Sequence, residues 1–244
     1  MTVPLSSIYP LLPLTLPTFL GEYLNDRLTE NENIKTFFDC LCSSSRPAIY
    51  SPHLDRPPVS HAELRSFISD FALPTRNLLG YKDRVALALP TGSESAVALL
   101  ALLTYHVCAP VNVNCTATEL QEDICRLNVR AVIAMSDDQE RLRLHCLEEQ
   151  TGCEVIFIQS RTTGPAGLFD LSLMDAIAIP RVPKAPHGLD DYSLLLHTSG
   201  TSGTKKVVPY TLRTLLVGTS CVIHSWGLQE TDINCGFEHA WNAS

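Results

Sequence analysis

Short apolar runs alternate with helix-like segments between residues 83 and 158, and this alternation limits the folds that the chain can adopt. The first run, Asp83 to Pro90, is almost continuously apolar and is closed by proline. Such a run is typical of a strand buried on both faces of a parallel sheet. The segment Glu94 to His106 then predicts a long apolar helix with an acidic residue near its positive end. Because parallel neighbours need helical crossovers, the pattern predicts an α/β fold with layered, largely parallel sheets covered by helices.

Comparable patterns extend over most of the chain. Two helices are predicted to begin at capping boxes, in which a hydroxyl and a carboxylate cap the first turn reciprocally: Ser60 with Glu63, and Thr116 with Glu119. The region 161–190 is rich in glycine and proline, which indicates a surface connection with one short helix. The other predicted strands are 47–50, 109–113, 130–135 and 154–158, and the predicted helices are 34–41, 61–72, 117–127, 137–149, 171–176 and 210–226.

Composition and charge exclude several classes of protein. The 244 residues are 45% hydrophobic and 18% charged, which is enough for a packed core in one large domain or two small ones. The net charge of -8, without a basic cluster, argues against nucleic-acid binding. The 9 cysteines form no Cys-x-x-Cys pair, so they are interpreted as reduced, mostly buried thiols. The one close pair, Cys40 and Cys42, is not interpreted as a metal site.

The chain ends carry no recognised targeting signal. The apolar stretch from Ile8 to Leu20 is interrupted by prolines and is not preceded by a basic residue, so it predicts neither a secretory signal nor a membrane span. The final residues, Asn242 to Ser244, are not a peroxisomal tripeptide. An intracellular, cytoplasmic location is therefore expected. Residues 1–30 are interpreted as an irregular lead-in.

The segment with the clearest chemistry follows a predicted strand that begins at Tyr192. It is rich in hydroxyl side chains and glycine and ends in Lys205 and Lys206. Glycines let a backbone approach a ligand closely, while backbone amides and hydroxyls donate to phosphate oxygens and lysines add positive charge. It is not a Walker A loop, because Thr198 stands where that pattern needs glycine. The alternative interpretation is a flexible polar connector. The predicted phosphate contacts are Thr198, Ser199, Gly200, Thr201, Ser202, Gly203, Thr204 and Lys206.

The run from Thr198 to Lys206 resembles the phosphate loop of the AMP-forming adenylating superfamily, which includes acyl-CoA synthetases, luciferases and the adenylation domains of peptide synthetases. The family pattern reads Thr-Ser-Gly-Thr-Thr-Gly, any residue, Pro, Lys, Gly. Lys206 falls on the family's lysine, while Lys205 replaces the proline and Val207 replaces the glycine. Three upstream segments resemble family segments as well: 59–65, 83–87 and 94–114, the last including 108–112.

The resemblance runs from about residue 30 to about residue 233. It implies that 31–233 form part of the N-terminal region of the family's large domain and that 234–244 are a departing tail. Later family elements have no counterpart here, so the chain is expected to be incomplete and to turn over little substrate alone. An abrupt change near residue 234 is interpreted as a fragment or a mispredicted gene product.

The resemblance also implies an activity. ATP and a small-molecule carboxylate would form an acyl-adenylate and pyrophosphate, and the acyl group would then pass to coenzyme A or to a pantetheine carrier. The implied cofactors are ATP, Mg²⁺ and CoA or phosphopantetheine, with a carrier protein as a possible partner. The loop is expected to bind the ATP phosphates, and no catalytic residue or metal ligand is assigned. The alternative is a non-catalytic ATP-binding or interaction protein.

Four histidines and one acidic pair are interpreted as structural. His197 precedes the loop, and a hydrogen bond to backbone at the strand end is favoured over a catalytic role. His106, His145 and His224 fall on helical runs without a partner spaced to form a triad. The pair Asp190 and Asp191 is interpreted as a solvated turn.

Overall fold

The computed structural model describes residues 28, 30, 33–51, 56–77, 79–80, 82–174, 179–181, 185–198, 206–229 and 231–233. The strands are β1 Pro47–Ile49, β2 Val59–Ser60, β3 Leu73–Thr75, β4 Arg84–Ala88, β5 Val107–Pro110, β6 Val129–Met135, β7 Glu154–Ser160, β8 Phe169–Leu173, β9 Ile179–Arg181, β10 Tyr192–Thr198 and β11 Lys206–Thr211. The helices are α1 His61–Ser69, α2 Ser93–Tyr105, α3 Ala117–Leu127, α4 Leu144–Thr151 and α5 Leu212–Trp226, with 3-10 turns at Phe37–Cys40 and Ser136–Asp138.

A 7-stranded sheet organises the described chain, in the order β11-β10-β5-β4-β6-β7-β8. Its inner strands, from β10 to β7, are parallel to one another, while β11 and β8 pair antiparallel at the two edges. Two small antiparallel sheets, β1-β2 and β3-β9, lie outside it. The predicted α/β class with a largely parallel, helix-covered sheet is confirmed.

Alternate residues of the central strands build two separate apolar layers. In β4, Val85 and Leu87 pack in the layer that contains α1 and α2, whereas Ala86 and Ala88 pack in the layer that contains α3 and α4. The inner strands therefore bury both faces, which explains why they read as continuous apolar runs rather than as alternating ones.

Both predicted capping boxes are present. The Glu63 backbone N–H donates to Ser60 Oγ at 3.2 Å, and the Ser60 N–H donates to Glu63 Oε2 at 2.9 Å. The Glu119 N–H donates to Thr116 Oγ1 at 3.2 Å, and the Thr116 N–H donates to Glu119 Oε2 at 2.8 Å. These bonds satisfy first-turn amides that have no partner within the helix. The helix that follows Ser60 ends at Ser69, before the predicted end at 72.

The predicted helix at 171–176 is wrong. Residues Phe169–Leu173 form β8, an edge strand antiparallel to β7, and 175–176 lie outside the described residues. Phe169 and Leu173 are buried while Asp170 and Ser172 are exposed, which is the period of two that a strand requires. The mixture of glycine, proline and short apolar groups around this strand obscured that period.

Three other predicted helices are corrected. The helix expected over 137–149 is divided into the 3-10 turn at Ser136–Asp138 and α4, which begins at Leu144 after Arg143 adopts φ 47, a left-handed conformation. The helix expected over 210–226 begins only at Leu212, because 206–211 form the unpredicted strand β11. Pro209 is tolerated in β11 because this is an edge strand. The helix predicted over 34–41 is one 3-10 turn.

Within the described ranges, no helix is long and apolar enough to cross a bilayer.

Candidate functional site

The predicted phosphate loop connects β10 to β11, two strands that pair antiparallel. Thr198 and Lys206 are paired across the antiparallel ladder, as are His197 and Val207. The hairpin register therefore brings the first and last predicted contacts side by side and closes the segment 199–205 between them. Lys206 is exposed. Ser199, Gly200, Thr201, Ser202, Gly203 and Thr204 lie outside the described residues, and Thr198 is described by its backbone alone.

The end of β10 lies at the carboxyl edge of the parallel strands. β10 runs parallel to β5 with Leu194 opposite Cys108, and β5 runs parallel to β4. Carboxyl ends of parallel strands therefore meet where the loop begins. In open α/β sheets, ligands bind outside this edge, so the strand end from which the predicted loop departs lies where a nucleotide site is expected.

A cavity of about 550 Å³ opens at the same edge, beyond β4 and β5. Its polar lining includes Thr91, Ser95, Asn112 and Asn114. The Gly92 N–H at the amino end of α2 is already bonded to Ser95 Oγ at 3.0 Å. This amide is thus engaged within the chain rather than directed at a ligand.

Glu94 places a negative charge in the first turn of α2. Burial of its carboxyl opposes ionisation, but hydrogen bonds, led by that from Ser93, outweigh burial and lower the pKa of Glu94. Arg56 Nη1 lies 3.3 Å from Glu94 Oε1, and Arg56 Nη2 donates to the Pro165 carbonyl at 2.5 Å. This contact joins the amino end of α2 to the connection after β7 and gives Glu94 a structural role.

A buried carboxylate lies beside the strand end where the loop begins. Asp123 of α3 has a side chain that is 3% exposed, and its Oδ1 lies 3.8 Å from Nδ1 of His197, whose side chain is 14% exposed. Arg126, one turn further along α3, forms an ion pair with the same carboxylate. His197 therefore faces a charged side chain at the strand end, and its predicted hydrogen bond to backbone stays a prediction.

Sequence reasoning missed Asp123, although the sequence carries a signal for it. Leu120, Ile124 and Leu127 form the buried stripe of α3, and Asp123 falls on this stripe. A carboxylate within an apolar stripe is unfavourable unless a partner meets it. The position thus predicts a buried partner, but the helix pattern alone does not say which one.

Four of the described thiols are packed in the interior. Cys40, Cys108, Cys115 and Cys153 are buried, while Cys125 and Cys146 are exposed. Burial, followed by the charge of Asp39, raises the pKa of Cys40 to about 12, and burial also raises the pKa of Cys108. No group of three or more His, Cys, Asp or Glu that could hold a metal occurs within the described ranges.

The acidic pair before β10 serves the turn around it. Asp190 is exposed, and the hydrogen bond from Arg213 lowers the pKa of Asp190. Asp191 Oδ2 accepts from the Gly188 N–H at 2.9 Å. These contacts fit the predicted solvated turn and do not assemble a metal site.

The described strands form a helix-covered, largely parallel sheet, and β10 and β11 pair on either side of the glycine- and hydroxyl-rich segment, which defines an α/β domain. A family model described as AMP-binding enzyme matches residues 44–240. The chain therefore belongs to this family of AMP-forming, adenylating ligases.

The chain spans only about a third of the length of the relatives that it matches. A Humulus lupulus protein, Probable CoA ligase CCL9, is 27% identical over 178 residues, covering 71% of this chain and 33% of the relative. Apo MatB from Rhodopseudomonas palustris has a TM-score of 0.58 at 22% identity, covering 78% of this chain and 36% of MatB. ATP-bound MatB from the same organism has a TM-score of 0.57 at 24% identity, covering 78% and 37%. The structural likenesses establish the fold.

Proposed function

We propose that this chain supplies the ATP-phosphate-binding part of an AMP-forming acid–thiol ligase. Such an enzyme joins ATP and a small-molecule carboxylate into an acyl-adenylate and pyrophosphate, and then transfers the acyl group to a thiol. The observation that carries the proposal is the Thr198–Lys206 pair, which closes a hydroxyl- and glycine-rich segment at the carboxyl edge of the sheet. Membership of the AMP-binding enzyme family supports it.

The loop residues have distinct roles in this proposal. Backbone amides from Thr198 to Thr204 and the hydroxyls of Thr198, Ser199, Thr201, Ser202 and Thr204 donate to the β- and γ-phosphate oxygens. Gly200 and Gly203 allow the backbone to approach those oxygens. Lys206, which is exposed at the start of β11, provides a positive charge.

The chemistry requires the loop to position and neutralise rather than to react. The carboxylate attacks the α-phosphorus, and negative charge accumulates on the departing pyrophosphate. Mg²⁺, when bound with ATP, adds positive charge to the same phosphates. The hydroxyls and Lys206 are suited to hold the leaving group. The proposal assigns no base or nucleophile to the loop.

The acyl acceptor is proposed to be the thiol of CoA or of a phosphopantetheine carrier. The CoA ligase name of the Humulus lupulus relative supports a thiol acceptor. The chain spans about a third of that relative's length, so the complete reaction is proposed for the enzyme to which these residues correspond. Within it, 31–233 are proposed to be part of the AMP-binding domain.

ATP titration tests the proposal directly. Adding Mg·ATP to the ¹⁵N-labelled 244-residue chain should shift amide signals between 198 and 206. Lys206→Ala should weaken ATP binding by roughly tenfold, because a charge-assisted contact to phosphate is lost. The matched control is Lys35→Ala, which removes an exposed lysine from the chain before the Phe37–Cys40 turn and should leave binding unchanged.

Two outcomes separate the possible functions. Loop amides that stay unshifted at saturating Mg·ATP contradict phosphate binding and overturn the proposal. If ATP binds, a pyrophosphate-release assay with a panel of carboxylates distinguishes a ligase from the alternative, a non-catalytic ATP-binding or interaction protein.

A further inference from the structure

The contact between α3 and the end of β10 lies one residue ahead of the phosphate loop. His197 directly precedes Thr198, and its ring nitrogen Nδ1 is 3.8 Å from Asp123 Oδ1. We propose that Asp123 and His197 form a positioning pair, which fixes the strand end from which the loop departs and so sets the loop's hold on phosphate. This inference rests on the proposed function of the loop.

Burial gives the first argument. The Asp123 side chain is 3% exposed and lies on the α3 stripe formed by Leu120, Ile124 and Leu127. Placing a carboxylate in such a layer is unfavourable unless charged or hydrogen-bonding partners compensate. Arg126 and His197 both meet the carboxylate. A packed apolar residue would serve stability alone at least as well, so the retained charge indicates a role in specifying geometry.

The hairpin register gives the second argument. His197 is opposite Val207 and Thr198 is opposite Lys206. Leu195 and Val207 both pack in the layer that contains α3 and α4, so His197, which alternates with Leu195, points into this layer as well. Restraint of His197 from α3 therefore acts on the last strand residues before the loop and, through the ladder, on the backbone that carries Lys206.

Charge gives the third argument. A carboxylate close to an imidazole favours the protonated ring. The charged groups that α3 presents at this point are Asp123 and Arg126, which is bonded to Asp123, while β11 presents the apolar Val207. When His197 is protonated, its imidazolium adds positive charge beside a polyphosphate. His197 acts here through the loop, and it is a positioning residue rather than a catalytic one.

The test uses the intact 244-residue chain and two near-isosteric variants, Asp123→Asn and His197→Gln. The control is His145→Gln, which breaks an exposed pair with Glu149 at 3.3 Å on α4. The readouts are the affinity for Mg·ATP at several pH values, the ring ¹⁵N shifts of His197, and the backbone amide shifts from 196 to 206 without ATP. Thermal melting checks that each variant is folded.

We expect each variant of the pair to bind Mg·ATP roughly three- to tenfold more weakly than the parent chain. In Asp123→Asn, the His197 ring should lose its proton at a lower pH than in the parent chain. The affinity for Mg·ATP should then no longer change over the pH range in which His197 of the parent chain titrates. Amide shifts in the ATP-free variant should concentrate at 197–199 and 206. His145→Gln should change none of these, whereas a merely structural pair would alter melting and leave the pH profile of binding intact.

The possible failures are distinguishable. If the parent chain binds Mg·ATP and folded Asp123→Asn binds it with the same affinity and pH profile, the positioning pair is overturned while phosphate binding stands. If the parent chain does not bind ATP, the proposed function fails. The ATP-free spectra then still decide whether the pair holds the loop, because unshifted amides at 197–199 overturn it. Should Asp123→Asn fail to fold, His197→Gln gives the same decision.

Discussion

At the carboxyl end of α2, His106 is 4% exposed, and neither of its ring nitrogens has a hydrogen-bond partner among the described residues. Burial, followed by the nearby His187, lowers the pKa of His106 to about 4. The unfolded chain would titrate this histidine near its ordinary value of about 6.5. Between those two values the unfolded state binds more protons than the folded state, so stability falls as the pH is lowered from 6.5 to 4.

Replacing His106 should therefore flatten the acid side of the stability profile. The parent chain should lose roughly 3 kcal/mol through this residue over that range, and His106→Leu should not, because leucine has no proton to bind. The measurement is the free energy of unfolding in urea at pH 7.5, 5.5 and 4.5. His145→Gln, an exposed substitution, should follow the parent curve. Parallel stability curves for His106→Leu and the parent chain would contradict a lowered pKa of His106.

At the scale of single elements, agreement between sequence and structure depends on how local the signal is. The boxes at Ser60 and Thr116 were predictable because a hydroxyl and a carboxylate in the same turn define them. Strand β8 was not, since its extended form is fixed by pairing with β7. Strand β11 was missed as well. Its β-branched residues are extended because they pair with β10, and this pairing is not visible in the local sequence.

The cap of α3 offers a test with a built-in control. Thr116→Ala removes the oxygen that accepts from the Glu119 N–H, and it should lower the free energy of unfolding by about 1 kcal/mol. Thr118→Ala removes the same atoms from an exposed position inside the helix, where alanine is favoured, and it should be neutral or slightly stabilising. Urea unfolding of both variants decides the matter. Equal losses would mean that the cap contributes nothing specific.

At the scale of the whole molecule, the sequence predicted the position of the candidate site along the chain, but not the distant residues that surround it. The run from Thr198 to Lys206 is contiguous, so its chemistry can be predicted from the sequence without knowledge of the fold. The contact of His197 with Asp123 depends on α3 being returned across the sheet beside β10, and no local spacing contains that information. The cavity beyond β4 and β5 likewise exists only once the parallel strands share an edge.

Glu154 connects the small β3-β9 sheet to the large one. It is the first residue of β7 and is 3% exposed. Its Oε2 accepts from the Arg76 N–H at 2.7 Å, and its Oε1 accepts from the Asn77 N–H at 2.9 Å and from Asn77 Nδ2 at 2.8 Å. Arg76 and Asn77 directly follow β3, so one carboxylate holds the end of that strand against the main sheet.

Glu154→Gln should loosen this connection before it affects the main sheet. The amide group of glutamine puts a donor where the carboxylate accepted, so the N–H of Arg76 or Asn77 loses a part-buried hydrogen bond to a charged group, at a cost of about 2 kcal/mol. Amide exchange should accelerate most at Leu73, Thr75, Ile179 and Arg181, which pair in β3 and β9, and least at Val132 and Ile133 in β6. The control is Glu149→Gln, an exposed carboxylate on α4, which should leave both sets unchanged. Equal acceleration in both sheets would show instead that Glu154 supports the fold globally, because the small sheet would then open only with the rest of the molecule.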